Sequence, residues 1–277
     1  MKLSMVVTTQ QTQFAAATFS GDLHNNLAVL KQMGYTGAEL AIRDPKKIDL
    51  PSLSALVSKL GLVVPAIGTG QAWNEEGLSF TDSDPSIRQA AIERIKSHLP
   101  VAAHFDAVVI IGLIRGVLKP GASHEQAIEW LRSALKNCSQ AAEDAGVRLA
   151  LEPINRYETS LINTVAQGMA LIDAVGSQNF GLLLDTFHMN IEEPIIEDSL
   201  RLCNERIFHF HVADSNRWPP GGGHLDFPSI LRALLSTGYS GFISGEFLPL
   251  PDVHTAGEKN LAFLKPILKD IHSNLSG

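Results

Sequence analysis

Phe180-Gly181-Leu182-Leu183-Leu184-Asp185-Thr186-Phe187-His188-Met189-Asn190 is the stretch on which the fold turns. Residues 180–184 form a short apolar run behind Asn179, which reads as a buried strand. The run delivers a carboxylate and a histidine at its C-terminal end, and both are costly to bury without partners. Three other runs end in the same way. Residues 148–151 lead to Glu152, 207–210 to His211 and 242–245 to Glu246. Four consecutive strand-like runs thus each finish on one hard or borderline metal ligand.

Working outward, residues 5–9, 37–43, 62–68 and 107–113 read as strands one to four. Residues 148–151, 180–184, 207–212 and 242–246 read as strands five to eight. A helical pattern follows each strand. The first spans 22–34, with Leu23, Leu27, Leu30 and Met33 on one face and Gly34 as its stop. Leu53, Leu56, Val57 and Leu60 mark the second, closed by Gly61. Asp84-Pro85 opens the third as N-cap and N1 proline. Ser123 with Gln126 reads as a capping box for the fourth, which carries Ile128, Leu131, Leu135 and Cys138. The rest span 165–175, 195–202, 227–235 and 258–271, the last with a kink expected at Pro266. Residues 69–73 read as a loop. Strict alternation argues for parallel βα units, and eight of them predict a single α/β domain over 1–277, a closed (β/α)8 TIM barrel. An open doubly wound sheet would show a glycine-rich phosphate turn after strand one. Thr8-Thr9-Gln10-Gln11 is not one.

The 277 residues carry a net charge of −7, so no basic footprint for nucleic acid is expected. Cys138 and Cys203 are too few for a disulfide scaffold. Residues 1–10 lack the apolar segment of a signal peptide, and no stretch approaches a membrane span. The expectation is a cytoplasmic enzyme that does not engage membranes.

In such a barrel the site lies at the C-terminal ends of the strands. Glu152, Asp185, His211 and Glu246 would stand side by side on one half of the rim. Three carboxylates at close range repel one another unless a cation neutralises them. Three oxygen donors and one imidazole suit Mn²⁺ or Mg²⁺, with Co²⁺ also fitting. A carboxylate at a strand end is also, more plainly, a helix N-cap or a rim ion pair; it is the repetition on adjacent strands that favours a metal set. His188 and Arg217 could donate to a hydroxyl or oxyanion. Glu158 could accept from a hydroxyl or simply pair with Arg156. Glu39 could face the barrel mouth, with rim hydrogen bonding as its plainer role. His209 shares a strand face with His211, one layer deeper, and reads as a hydrogen-bonded barrel residue.

These residues carry a resemblance. Glu152-Pro153-Ile154-Asn155-Arg156-Tyr157-Glu158, the Asp185–Asn190 motif with Ile191-Glu192-Glu193, and His209-Phe210-His211-Val212-Ala213-Asp214-Ser215-Asn216-Arg217 resemble the xylose-isomerase-like sugar epimerases, and within them the ketose 3-epimerases. Ala66-Ile67-Gly68-Thr69-Gly70-Gln71, Ile110-Ile111-Gly112-Leu113-Ile114-Arg115-Gly116 and Trp218-Pro219-Pro220-Gly221-Gly222-Gly223-His224 resemble the 5-keto-L-gluconate epimerases of inositol catabolism, which give D-tagaturonate. The resemblance implies that Glu152, Asp185, His211 and Glu246 bind Mn²⁺ or a similar ion. It implies that Glu152 and Glu246 double as the acid–base pair, and that Glu158, His188 and Arg217 hold the substrate. It further implies a homodimer or homotetramer acting on a small sugar or sugar acid. Gly68-Thr69-Gly70 departs from the plain sugar epimerases and would meet the far end of the sugar. An acid substrate would need a cation there, and Arg115 or Arg43 is the expected one. The competing expectations are an aldose–ketose isomerase such as hydroxypyruvate isomerase, which the Asp185–Asn190 motif disfavours, a metal-dependent AP endonuclease, which the acidic balance disfavours, and a non-catalytic sugar sensor. A sensor would not need both Glu152 and Glu246.

Overall fold

A computed structural model describes residues 1–10, 15–16 and 18–273. Eight parallel strands close into one barrel in the order of the chain. The elements are β1 (Lys2–Thr8), α1 (Leu23–Met33), β2 (Gly37–Ala41), α2 (Leu50–Leu60), β3 (Ala66–Gly68), α3 (Gln71–Glu76), α4 (Pro85–Phe105), β4 (Val108–Ile111), α5 (His124–Asp144), β5 (Leu149–Leu151), α6 (Val165–Val175), β6 (Phe180–Asp185), α7 (Thr186–Glu192), α8 (Ile196–Cys203), β7 (Ile207–Val212), α9 (Phe227–Ser236), β8 (Phe242–Gly245) and α10 (Val253–Ser273). The expected (β/α)8 barrel is what the chain forms.

Local chemistry explains most of the boundaries. Asp22 caps α1 by accepting from Asn25 N–H, and Gly34 ends it in the left-handed region at φ 96°. Asp84 caps α4 ahead of Pro85. Ser123 caps α5 through Gln126 N–H, but the reciprocal half of the expected box is not formed. A complete capping box stands at Thr164 and Gln167 instead, at the start of α6. β1 starts three residues earlier than expected, and β3 is trimmed to Ala66–Gly68. Two short helices follow strand ends: α3, where residues 69–73 were expected as loop, and α7, directly after β6.

The core has two compartments. One lies between barrel and helices and includes Leu27, Leu30, Ile95, Leu135, Leu184, Phe210 and Leu264. The other comprises Ala66, Val108, Ile110, Ala150 and Leu183, with Phe208 packed against them. The ladder between β6 and β7 shifts register between Leu182 and Leu183, which brings Phe208 over Gly181. A Cβ on Gly181 would stand 2.7 Å from Cγ of the Phe208 ring, so only glycine fits there. Beyond Leu183 the register pairs Asp185 with His211, placing two of the four expected ligands side by side.

Candidate active site

Each of the four acidic or imidazole groups reaches the barrel mouth from the end of its strand. Glu152 follows β5. Its carboxylate lies across the end of β4, where a Cβ on Gly112 would come within 3.3 Å of Oε2. Asp185 ends β6 and serves two purposes. Its Oδ1 accepts from Phe187 N–H at 2.8 Å and so caps α7. Its Oδ2 has no hydrogen-bond partner. His211 projects from β7, and Glu246 stands just past β8. One ligand atom from each lies within 4.8 Å of the others.

The donor set fits a divalent cation. Glu152 Oε1, Asp185 Oδ2 and His211 Nδ1 are all buried without a hydrogen-bond partner. Leaving three such atoms orphaned in one place costs about 1–3 kcal/mol each, and a single cation would satisfy them together. The carboxylates also show the strain of mutual proximity. Burial and the neighbouring Glu246 push Glu152 up to about 8. Burial pushes Glu246 up to about 7, against the pull of His211 and Arg217.

Behind His211 lies a carboxylate whose role the sequence left open. Glu39 on β2 is fully enclosed and takes hydrogen bonds from Nε2 of His209 at 2.8 Å and from Nε2 of His211 at 2.9 Å. Burial alone would raise Glu39, but the two histidines outweigh it and hold the carboxyl well below its ordinary range. Burial would lower His211, yet Glu39 and Glu246 outweigh that and push it up to about 10. His209 is lowered, chiefly by burial. With Nε2–H committed to Glu39, Nδ1 of His211 is the nitrogen directed at the acidic set, and it must give up its proton before it can bind an ion. A carboxylate oriented this way fixes the tautomer of a metal-binding histidine. Glu39, His209 and His211 also cluster closely enough to hold an ion. Their facing atoms already satisfy one another, so that trio acts as a brace.

His188, on α7, is buried against the same set. Asn155 orients it. Asn155 Oδ1 accepts from Tyr157 N–H at 3.0 Å, which leaves its amide nitrogen to donate to His188 Nδ1 and Glu158 Oε1, both at 2.8 Å. With Nδ1 accepting from Asn155, the proton of a neutral His188 is on Nε2, which lies 3.5 Å from Glu152 Oε1 and 3.4 Å from Arg217 Nη1. Burial and the cations Arg217 and Arg115 hold His188 well below its ordinary value, so it is a neutral donor. Glu158 is one-third exposed and turns to Asn155. Arg156 pairs with Glu192 instead, at 2.9 Å, so the plainer Glu158–Arg156 pairing is not formed. Sequence reasoning missed Asn155; its position inside the Glu152–Glu158 segment was the available signal.

Arg217 is buried at a backbone φ of 61°, with its guanidinium 2.5 Å from Glu246 Oε2 and 3.8 Å from Asp185 Oδ2. It also lies over the Phe187 ring, 4.7 Å from the centroid. Arg115 differs from expectation. It is fully enclosed and donates to the backbone carbonyls of Gly112, Leu161 and Ile162. It does not line the cavity. Arg115 ties the turn after β4 to the loop after β5, and its Nη2 is left buried without a hydrogen-bond partner. Arg43 is turned toward Glu76, 3.5 Å away, and also lies outside the cavity wall.

The cavity these groups line measures about 670 Å³, counting space open to solvent. Its floor holds Glu39, Glu152, His211 and Glu246. Its far side holds Gly68, Thr69, Gly70, Gln71 and Asn74. Among the described residues no helix is long and apolar enough to cross a membrane.

A closed βα barrel with three carboxylates and a histidine converging on the C-terminal mouth defines a class of divalent-metal barrel sites. The chain belongs to the xylose isomerase-like TIM barrel family, whose model matches residues 27–267. It is 32% identical to an L-ribulose 3-epimerase of Mesorhizobium japonicum (strain LMG 29417 / CECT 9101 / MAFF 303099), over 84% of this chain and 78% of that protein. A 3-dehydro-D-guloside 4-epimerase of Escherichia coli (strain K12) is 28% identical over 82% of this chain and 87% of its own length. A solved L-ribulose 3-epimerase structure superposes with a TM-score of 0.85 at 26% identity, covering 99% of this chain and 97% of the other. These relatives are sugar epimerases, and the expectation of an isomerase holds at that level.

Proposed function

We propose that this protein is a divalent-metal-dependent 3-epimerase of a ketose or a keto-uronate, with 5-keto-L-gluconate/D-tagaturonate and the ketohexoses as its candidate substrates. The observation that carries this reading is the convergence of Glu152, Asp185, His211 and Glu246, three of them with buried, unpartnered ligand atoms. The named relatives support the reaction class.

Glu152, Asp185, His211 and Glu246 would hold the ion, with Mn²⁺ preferred on donor type and Mg²⁺ or Co²⁺ as substitutes. When bound, the ion supplies Lewis acidity toward the oxygens of an α-hydroxyketone. The proton work falls to the chain. Inversion at C3 needs a base on one face of the carbon and an acid on the other. Glu152 and Glu246 come from β5 and β8, at the two ends of the ligand-bearing arc. One takes the C3 proton, leaving a planar enediolate, and the other returns a proton to the opposite face. In the metal-free protein burial lifts both carboxyls above their ordinary range, which makes them stronger bases than exposed carboxylates. His188 donates Nε2–H to a substrate oxygen. Arg217 offsets the charge on Glu246, and Glu158 accepts from a substrate hydroxyl.

The test is proton exchange. Mn²⁺-loaded protein is incubated in D₂O with 5-keto-gluconate, fructose or hydroxypyruvate, and the products are followed by NMR. Deuterium at C3 with inversion is the expected result. Label at C1 with aldehyde formation would instead establish a 1,2-isomerase. No exchange with any of them, with metal confirmed bound, would remove the epimerase assignment.

A further inference from the structure

The ligand set occupies one half of the rim, and Gln71 stands on the other. It opens α3 immediately after β3, and β3 lies four strands from β7 in the closed order, hence across the barrel from His211. Gln71 is 4% exposed, and neither its amide oxygen nor its amide nitrogen has a partner. Among the described residues it is the one carboxamide with both atoms in that state. Burying an unpaired amide costs about 1–3 kcal/mol, so a partner is called for. Gln71 lines the same cavity as Glu152, His188 and Arg217. Its backbone is fixed beforehand: Thr69 Oγ1 donates to Ile110 O at 2.6 Å, and Ala72 N–H donates to Thr69 O at 3.1 Å. The wall on that side also includes the apolar Ala41, Ile110 and Leu113, with Thr69 and Asn74 as its other polar residues. Among the described lining residues the one guanidinium or ammonium group belongs to Arg217, on the opposite half.

Building on the epimerase reading, we infer that Gln71 determines specificity by hydrogen-bonding the oxygen function on the terminal carbon of the substrate. A keto-sugar whose reacting carbons lie at the ligand set and whose chain crosses the mouth brings that carbon to β3. The shared chemistry is a terminal oxygen, carried either by a hydroxymethyl group or by a carboxylate. A hydroxyl engages both the amide N–H and the amide carbonyl, whereas a carboxylate engages the N–H alone.

The experiment compares wild type, Gln71→Met and Gln71→Glu, each loaded with Mn²⁺, on a ketohexose, its 6-deoxy counterpart and the corresponding keto-uronate. Calorimetric Mn²⁺ affinity is measured for each variant and is expected to stay within threefold of wild type, about 0.7 kcal/mol. Gln71→Met should lower kcat/KM by about 10–100-fold on the preferred oxygenated substrate, and by no more than about threefold on the 6-deoxy sugar. Gln71→Glu separates the two sources. A collapse confined to the keto-uronate identifies a carboxylate partner, and a loss centred on the ketohexose identifies a hydroxyl. Equal losses on oxygenated and 6-deoxy substrates, or no loss on any, overturn the inference while wild-type turnover leaves the epimerase reading standing. Absence of C3 exchange by the wild type overturns both.

Discussion

The two halves of the barrel rim are built to different rules. β5 to β8 lead to Glu152, Asp185, His211 and Glu246, and three of these keep an unpartnered ligand atom under the surface. β1 to β4 end on Thr8, Ala41, Gly68 and Ile111. Among the described residues the one cavity-lining carboxylate on that side, Glu39, is fully engaged by two histidines. One half thus concentrates charge that only a cation can reconcile. The other is small and mostly apolar, with Thr69, Gln71 and Asn74 as its polar members. Under the proposed function the contrast would separate reaction from selectivity: the acidic half would carry the chemistry common to α-hydroxyketones, and the quiet half would be free to vary with the substrate.

The largest effect expected from breaking this division falls on the acidic half. Glu246→Gln keeps shape but removes one member of the proton-transfer pair, and should slow C3 exchange about 10³-fold, about 4 kcal/mol. Deuterium wash-in measured by NMR reads it directly, and a loss below tenfold would take Glu246 out of the pair. Arg115→Ala comes next, and on stability rather than selectivity. It unpairs the carbonyls of Gly112, Leu161 and Ile162 and opens a buried void, costing about 3 kcal/mol. Thermal denaturation should shift down by several degrees, with the ratio of keto-uronate to ketose activity unchanged. A selective loss on the keto-uronate would restore Arg115 as a carboxylate contact.

A graded effect comes from pH. Glu152, Glu246 and His211 are raised to about 8, 7 and 10 in the metal-free protein, so metal must displace protons from them. Apparent Mn²⁺ affinity should therefore climb between pH 5 and 7, by about 100-fold or more if at least one proton leaves per ion. The sign for the metal-free fold is opposite. Groups whose pKa is raised on folding stabilise it below their unfolded values, and that stabilisation is lost as pH rises through 7 and 8. The gap in Tm between loaded and metal-free protein should widen from pH 5 to 8, and a constant gap in differential scanning fluorimetry would contradict the assignment. The smallest effect is expected from Glu39→Gln, which reaches the ion only through His211. Mn²⁺ affinity should fall about 10–100-fold by calorimetry, with the far side of the cavity untouched. An unchanged affinity would leave Glu39 as barrel packing alone.

Much of the acidic half was legible in the sequence, because each ligand stands at the end of its own apolar run. The helix ends at Gly34 and Asp84 were equally plain, since capping is a contact between residues two to four apart. What escaped was either too short or too distant. α3 and α7 have six and seven residues, fewer than two turns, and show no period to read. Glu39 reaches partners about 170 positions away, a separation no local pattern encodes. Arg115 appeared as a loop cation at a strand end; its burial follows from the path of the loop after β5, which its own neighbours do not specify. Asp185 shows that the plainer reading need not exclude the other, since one oxygen caps α7 and the second stays unpartnered.

The closure of the barrel sets an order of assembly. β1 pairs with β8, and Lys2 N–H reaches back to Gly241 O at 3.2 Å. A chain emerging from the ribosome carries β1 long before β8 exists to seal it, and such distant pairings form late. Glu246 arrives with that last strand. A nascent chain halted before β8 would therefore lack both a sealed barrel and the Glu246 carboxylate, so the four-residue acidic cluster is complete only when the barrel is.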